Sequence, residues 1–230
     1  MPAREPYPVI RDANMKKTSK KKPAFLIIFA LVSVLNLNCR AASAEEAAGM
    51  QKIQVPADVT EISVELENDT DVTLVKTPDI LNIESLKYEG AQGNPVTVER
   101  KGNKITLSVK GGRKWWKFKV GTLVASFRLL VPEGRSVKIS GGKLKLSGEL
   151  AGTDLRVNAG NLTMAGLSLS ASNEIKVAAG HTEMDMTVLK AKKFSLSAGH
   201  VSGKVRMPES VEYKNSSGSN DLKVMLLEGK

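Results

Sequence analysis

The sequence predicts an all-β protein: a single-stranded, β-helix-like β-solenoid with coils of about nineteen residues, behind a less regular N-terminal β-hairpin region. Three observations carry this. Gly142, Gly160, Gly180, Gly199 and Gly218 recur at spacings of 18, 20, 19 and 19 residues. Each glycine closes a run of small residues, as in Ser140-Gly141-Gly142, Asn158-Ala159-Gly160 and Ser197-Ala198-Gly199. The segments between them alternate apolar and polar residues with the period of a half-buried strand.

The N-terminal segment has a different composition. Residues 1–44 hold eight Lys/Arg against two acids, so +6 of the chain's formal +10 lies there and +4 is left for all other residues. The basic excess is therefore a leader property and gives little support to a polyanion-binding domain. Lys16 to Lys22 form a charged stretch, Ala24 to Leu35 an apolar one, and Ala42-Ser43-Ala44 a small-residue cleavage site. This is the pattern of a secretory signal, with Met15 a candidate start and Glu45 the expected mature N-terminus. The apolar stretch falls short of the ~20 residues of a spanning helix. Cys39 is the single cysteine, and Asn36-Leu37-Asn38 before it match a lipidation site poorly. Cleavage after Ala44 leaves a chain stabilised by burial and backbone ladders, with no disulfide.

Residues 45–52 read as a polar, flexible lead-in. The region 53–126 reads as strands continuous with the solenoid, and 127–230 as its regular coils. Ile62-Ser63-Val64-Glu65-Leu66, Val72-Thr73-Leu74, Val96-Thr97-Val98 and Ile105-Thr106-Leu107-Ser108-Val109 alternate with period two. Gly102-Asn103 is the expected turn before the last of these, and Phe127 to Val131 a strand ending in the Pro132-Glu133-Gly134 turn. Aligned on the glycines, Val137/Ile139, Leu155/Val157, Ile175/Val177 and Phe194/Leu196 precede the corner and Leu144/Leu146, Leu162/Met164 and Met184/Met186 follow it. Stacked strands ~4.8 Å apart would pile these into aliphatic columns. The corner is expected to need glycine for crowding and for a positive φ.

The Leu129-Leu130-Val131-Pro132-Glu133-Gly134 turn, followed by coils in which a small-residue run ends in glycine, resembles the bacterial putative-adhesin family of β-strand-repeat proteins. The resemblance covers Ile53 to Leu226 and implies a β-solenoid. It implies no catalytic residues, and fold does not dictate function.

Three features bear on chemistry. The outward residues before each corner, Asp154/Arg156, Glu174/Lys176, Lys193/Ser195 and Glu212/Lys214, mix acids with bases. They read as neutralising ladders rather than a basic stripe. The two histidines, His181 and His200, fall in one column, with Glu183 and Asp185 on the same outward face. These are ligand types for Zn²⁺ or a similar ion, although Asp185 also faces Lys204, an ordinary cross-strand pair. Lys110 to Lys119 hold both tryptophans and five bases; Arg113, Lys114, Trp115, Trp116, Lys117 and Lys119 are candidates for an anionic membrane surface or a glycan.

The sequence lacks the H-E-x-x-H, G-x-S-x-G and G-x-x-x-x-G-K-[ST] patterns. The expected function is an exported, non-catalytic scaffold or adhesin-like binding module of a bacterial cell envelope, periplasmic, outer-membrane-associated or at the surface. It needs no cofactor and no specific nucleic acid. Its partner is expected to be a protein or a glycan, or a second copy joined through the C-terminal strand edge. The alternatives are a peripheral membrane or polyanion binder acting through Trp115 and Trp116, and a metal-dependent glycan-active enzyme.

Overall fold

The computed structural model describes residues 52–67, 69–89, 95–110 and 124–227. All regular structure among them is strand. The first seven strands are β1 (Ile53–Gln54), β2 (Glu61–Leu66), β3 (Thr70–Thr77), β4 (Ile80–Glu89), β5 (Val96–Lys101), β6 (Lys104–Val109) and β7 (Val124–Pro132). Five longer ones follow: β8 (Ser136–Ala151), β9 (Asp154–Ser170), β10 (Glu174–Lys190), β11 (Lys193–Met207) and β12 (Glu212–Leu226).

These strands form one large mixed sheet that does not close on itself. Its main path runs β1-β4-β7-β3-β8-β9-β10-β11-β12, with β2, β5 and β6 branching from β8. The solenoid expectation is met in its coarser content: an all-β chain whose last five strands stack parallel, rung on rung. Pairings such as Ile139↔Val157, Val157↔Val177, Val177↔Leu196 and Leu196↔Asn215 repeat the alignment read from the glycines.

The N-terminal strands join the same stack in halves. The first half of β8 pairs with β2 (Val137↔Ile62) and its second half with β3 (Leu144↔Thr70). Below these, β6 pairs with β2 and β7 with β3, both parallel. β5 and β4 then cover β6 and β7 in antiparallel fashion. β4 escapes notice in the sequence because it breaks its alternation with a bulge between Glu84 and Lys87. The Gly102-Asn103 and Pro132-Glu133-Gly134 turns fall where the sequence places them, with Gly102 at φ 59° and Gly134 at φ 72°.

One contiguous core runs the length of the stack. Val137, Ile139, Leu155, Val157, Ile175, Val177 and Phe194 line it before the corners, and Leu144, Leu162, Met164, Met184 and Val201 after them. Thr182 stands in the Leu162–Val201 column, fully buried, and its hydroxyl has no hydrogen-bond partner.

The role expected of the corner glycines is corrected. None of Gly142, Gly160, Gly180, Gly199 or Gly218 is among the residues with positive φ, and each lies inside a continuous strand rather than between two. What requires glycine is the rung below. A Cβ on Gly160 would lie 2.8 Å from the Gly142 carbonyl oxygen, on Gly180 2.8 Å from that of Gly160, and on Gly199 2.7 Å from that of Gly180. The left-handed conformation is needed elsewhere. Gly203, at φ 107°, sits against the Met184 backbone so closely that no Cβ fits.

Two stability changes follow. Gly180→Val forces a side chain against the Gly160 carbonyl of the rung below and should cost about 1–3 kcal/mol, read as a lowered thermal midpoint. Thr182→Val removes an unsatisfied buried hydroxyl at nearly constant shape and should stabilise by about 1 kcal/mol in urea titration. Unchanged stability in either variant contradicts the packing described for that position.

Candidate functional site

Beyond each corner the outward side chains form columns that run across the rungs. The first column is Lys143, Asn161, His181, His200, Ser219, and the second is Lys145, Thr163, Glu183, Ser202, Asp221. β3 extends both, since Thr70 pairs with Leu144 and Asp71 with Lys145. Asp69, Asp71, Lys143, Lys145, Asn161 and His181 border a shallow open groove on this face.

The charges in the groove are matched. Lys143 Nζ lies 2.9 Å from Asp69 Oδ1 and Lys145 Nζ 3.5 Å from Asp71 Oδ2. Past Asn161 the surface changes character. The His181 and His200 rings stack with centroids 4.9 Å apart and planes 16° from parallel. The rung spacing dictates this, because identical residues in one parallel column meet face to face at about the strand separation. The result is a flat aromatic platform with polar edges.

The structure brings the two histidines together as the sequence predicts, but does not gather the four candidate metal ligands. Among the described residues no group of three or more His, Cys, Asp or Glu side chains is placed to hold an ion. Asp185 is engaged by Lys204 Nζ at 3.3 Å and Arg206 at 3.5 Å. Glu183 lies one column from the rings, between Thr163 and Ser202.

On the face before the corners, the expected neutralising pairs are present. Lys176 and Glu174 are 2.9 Å apart, as are Lys214 and Glu212. Asp154 is different in kind. It accepts hydrogen bonds from the Asn173 N–H at 2.7 Å, the Asn173 side-chain amide at 3.1 Å and the Glu174 N–H at 3.2 Å. Partial burial pushes its carboxyl up, but these donors outweigh burial and hold it below the usual aspartate range. Asp154 thus clamps the turn that starts the next rung. The sequence shows it only as one more acid in an outward ladder.

Arg113, Lys114, Trp115, Trp116, Lys117 and Lys119 lie outside the described residues, as do the leader and Cys39. The flanks of the tryptophan segment are described and locate where it departs. Leu66 pairs with Val109 and Thr70 with Ala125. Residues 67–69 thus separate β2 from β3, while residues 110–123 separate the equivalent ends of β6 and β7. Lys110, at the segment's start, hydrogen-bonds Glu65 at 2.7 Å and so holds that carboxyl below its usual range.

No family model matches the sequence, and no curated protein matches it. Among solved structures, the chain is similar to a putative cell adhesion protein from Clostridium sporogenes, with 11% identity and a TM-score of 0.44 over 77% of this chain and 98% of that one. It is also similar to a putative adhesin from Bacteroides fragilis, with 12% identity and a TM-score of 0.27 over 77% of this chain and 98% of that one. Both scores are too low for either description to bear on this chain's activity.

The Asp154 clamp has a signed pH dependence. Its native pKa lies below the unfolded value, so its stabilisation is present above the unfolded aspartate range and is lost as pH falls through the lowered native value. Asp154→Ala should cost about 1–2 kcal/mol at neutral pH, discounted for partial exposure. The gap between wild type and variant should narrow in acid. A gap that stays constant down to the acid unfolding limit contradicts the charged clamp.

Proposed function

We propose that the protein is an exported, non-catalytic, adhesin-like binding module of the bacterial cell envelope, with its rungs wound as a single-stranded β-solenoid. Its partner is a protein or a glycan, held on the polar face beyond the corners. The observation that carries this reading is the column Lys143, Asn161, His181, His200, Ser219, exposed on parallel rungs except for the half-buried His200 and continuous with a groove. Its side chains repeat at the strand spacing and so offer a regular row of donors, acceptors and one flat ring pair. Such a row suits an extended partner, which can meet the same chemistry at each step. The charge pairing within the groove favours a polar neutral partner over a polyanion. Export is supported by the composition of residues 1–44.

Binding of the purified protein to isolated envelope fractions tests the surface. A variant carrying Asn161→Ala, His181→Ala and His200→Ala should bind at least about tenfold more weakly, the loss expected from removing three central contacts. Equal binding by a folded variant removes this face from the reading. Cell fractionation tests export separately, and a wholly cytoplasmic protein ends the envelope assignment.

A further inference from the structure

The two ends of the rung stack are finished differently. At the N-terminal end, antiparallel strands cover the parallel rungs, β5 on β6 and β4 on β7. At the other end β12 pairs, among the described residues, with β11 alone. The core surfaces there: Val224 and Leu226, which pair with the buried Val205 and Met207, are 42% and 64% exposed. Tyr213 packs on Phe194 with centroids 5.5 Å apart, yet its hydroxyl and the Asn215 Oδ1 are buried without hydrogen-bond partners. An open edge of this kind is a template for another strand.

The backbone fixes which residues face that edge. The Glu212 N–H donates to Lys192 O, and the Leu227 N–H to Met207 O. Peptide groups alternate in direction along a strand, so Glu212 and Lys214 turn toward β11 before the corner, and Asp221, Lys223 and Met225 after it. Tyr213, Asn215, Asn220, Leu222 and Val224 therefore present their backbone groups to the open side. In agreement, the Leu222 N–H is closed locally on Asn220 Oδ1 at 3.2 Å instead of on β11.

We infer that β12 is a self-recognition edge: a second copy of this chain pairs with it antiparallel, about a two-fold axis through the corner between Ser217 and Gly218. A two-fold along the bisector of a bent strand exchanges its two arms and keeps the inner side inward. In this register Tyr213 meets Leu222 of the second copy, Asn215 meets Asn220, and Val211 meets Val224. Apart from Val211, which is buried in the turn before β12, these are edge-facing residues that continue core columns. Asn220 of the second copy brings an amide donor to the unsatisfied Asn215 oxygen. Between these pairs, at the close, non-hydrogen-bonded positions, Glu212 opposes Lys223 and Lys214 opposes Asp221. Symmetry doubles both, as in any isologous interface.

The covered rungs serve as the comparison. Reversed on itself in the same way, β8 sets Lys138 against Lys145, and β11 sets Lys193 against Lys204. β10 sets Glu174 against Asp185, although Lys176 meets Glu183. β9 sets Asp154 against Ala165 and Arg156 against Thr163. Only β12, which among the described residues has no strand on its far side, is complementary to its own reverse at both charged positions. A second copy would do in trans what β4 and β5 do at the far end in cis.

The test is sedimentation equilibrium over a dilution series of the purified protein, with two arm-reversal variants. Glu212→Lys with Lys214→Glu sets like charges together in a homodimer, and so does Asp221→Lys with Lys223→Glu. Each should weaken self-association by at least about tenfold. Mixed in equal amounts, the two variants should form a mixed dimer at wild-type strength, because each reversed arm then meets its complement. In wild type, exchange of the Tyr213, Asn215, Leu222 and Val224 amides should slow as concentration rises. A wild type that stays monomeric throughout, with those amides exchanging at one rate, overturns the proposal. So do variants that associate like wild type, or folded variants whose mixture stays monomeric.

Discussion

The close approach of backbones at the corner constrains the whole stack. Where Gly180 passes over Gly160, a methyl group would lie 2.8 Å from a carbonyl oxygen, and the same holds at the rungs on either side. The strand bends there without breaking, and pairing resumes in the same register on the far side, from Ala179↔Ala198 to His181↔His200. One glycine per rung thus locks the two arms of a strand together. A slip of one residue would not merely exchange inner and outer faces. It would also place a Cβ where only hydrogen fits.

Strict register is what turns a repeat into a surface. Because each residue stacks on its counterpart, chemistry accumulates in columns: aliphatic inside, charged before the corner, polar beyond it. The stacked imidazoles of His181 and His200 are a direct result, since two like residues in adjacent positions of one column have little choice but to meet face to face. The same logic explains why the ion pairs add little stability. Lys176 and Glu174 sit two residues apart on one exposed strand, where such a pair is worth a fraction of a kcal/mol. Their effect is to neutralise the ladder.

The glycine ruler made the rung alignment legible, and with it the core columns, the histidine pair and the Asp185–Lys204 contact. These depend only on period and parity, which a sequence displays. The conformation of the corner was not legible, because crowding from the rung below and a positive φ select the same residue. Asp154 was hidden for a related reason. Its partners, Asn173 and Glu174, belong to the turn beginning the next rung, and an acid clamping a turn looks the same in sequence as an acid facing water. β4 was missed because its bulge at Ser85, which adopts φ 54°, interrupts the alternation that announces a strand.

The variation in spacing shows where this architecture accepts extra residues. The span of 20 between Gly160 and Gly180 contains Gly166, at φ 64°, and the pairing steps over it: Leu146 meets Met164, but Gly148 meets Leu167. β10 steps in the same way at Leu189, since Val188 meets Leu169 and Lys190 meets Ser170. In each case the extra residue is expelled as a bulge toward the end of the rung, and the core columns close up around it. Residues 110–123 separate β6 from β7 in sequence, and the flanking pairs Leu66↔Val109 and Thr70↔Ala125 remain in register. Among the described residues of these rungs, extra length is thus taken up in bulges, where the added residue drops out of the paired columns. Added chemistry on this scaffold is tied to those same points, because nowhere else can the chain lengthen without shifting a column out of the core.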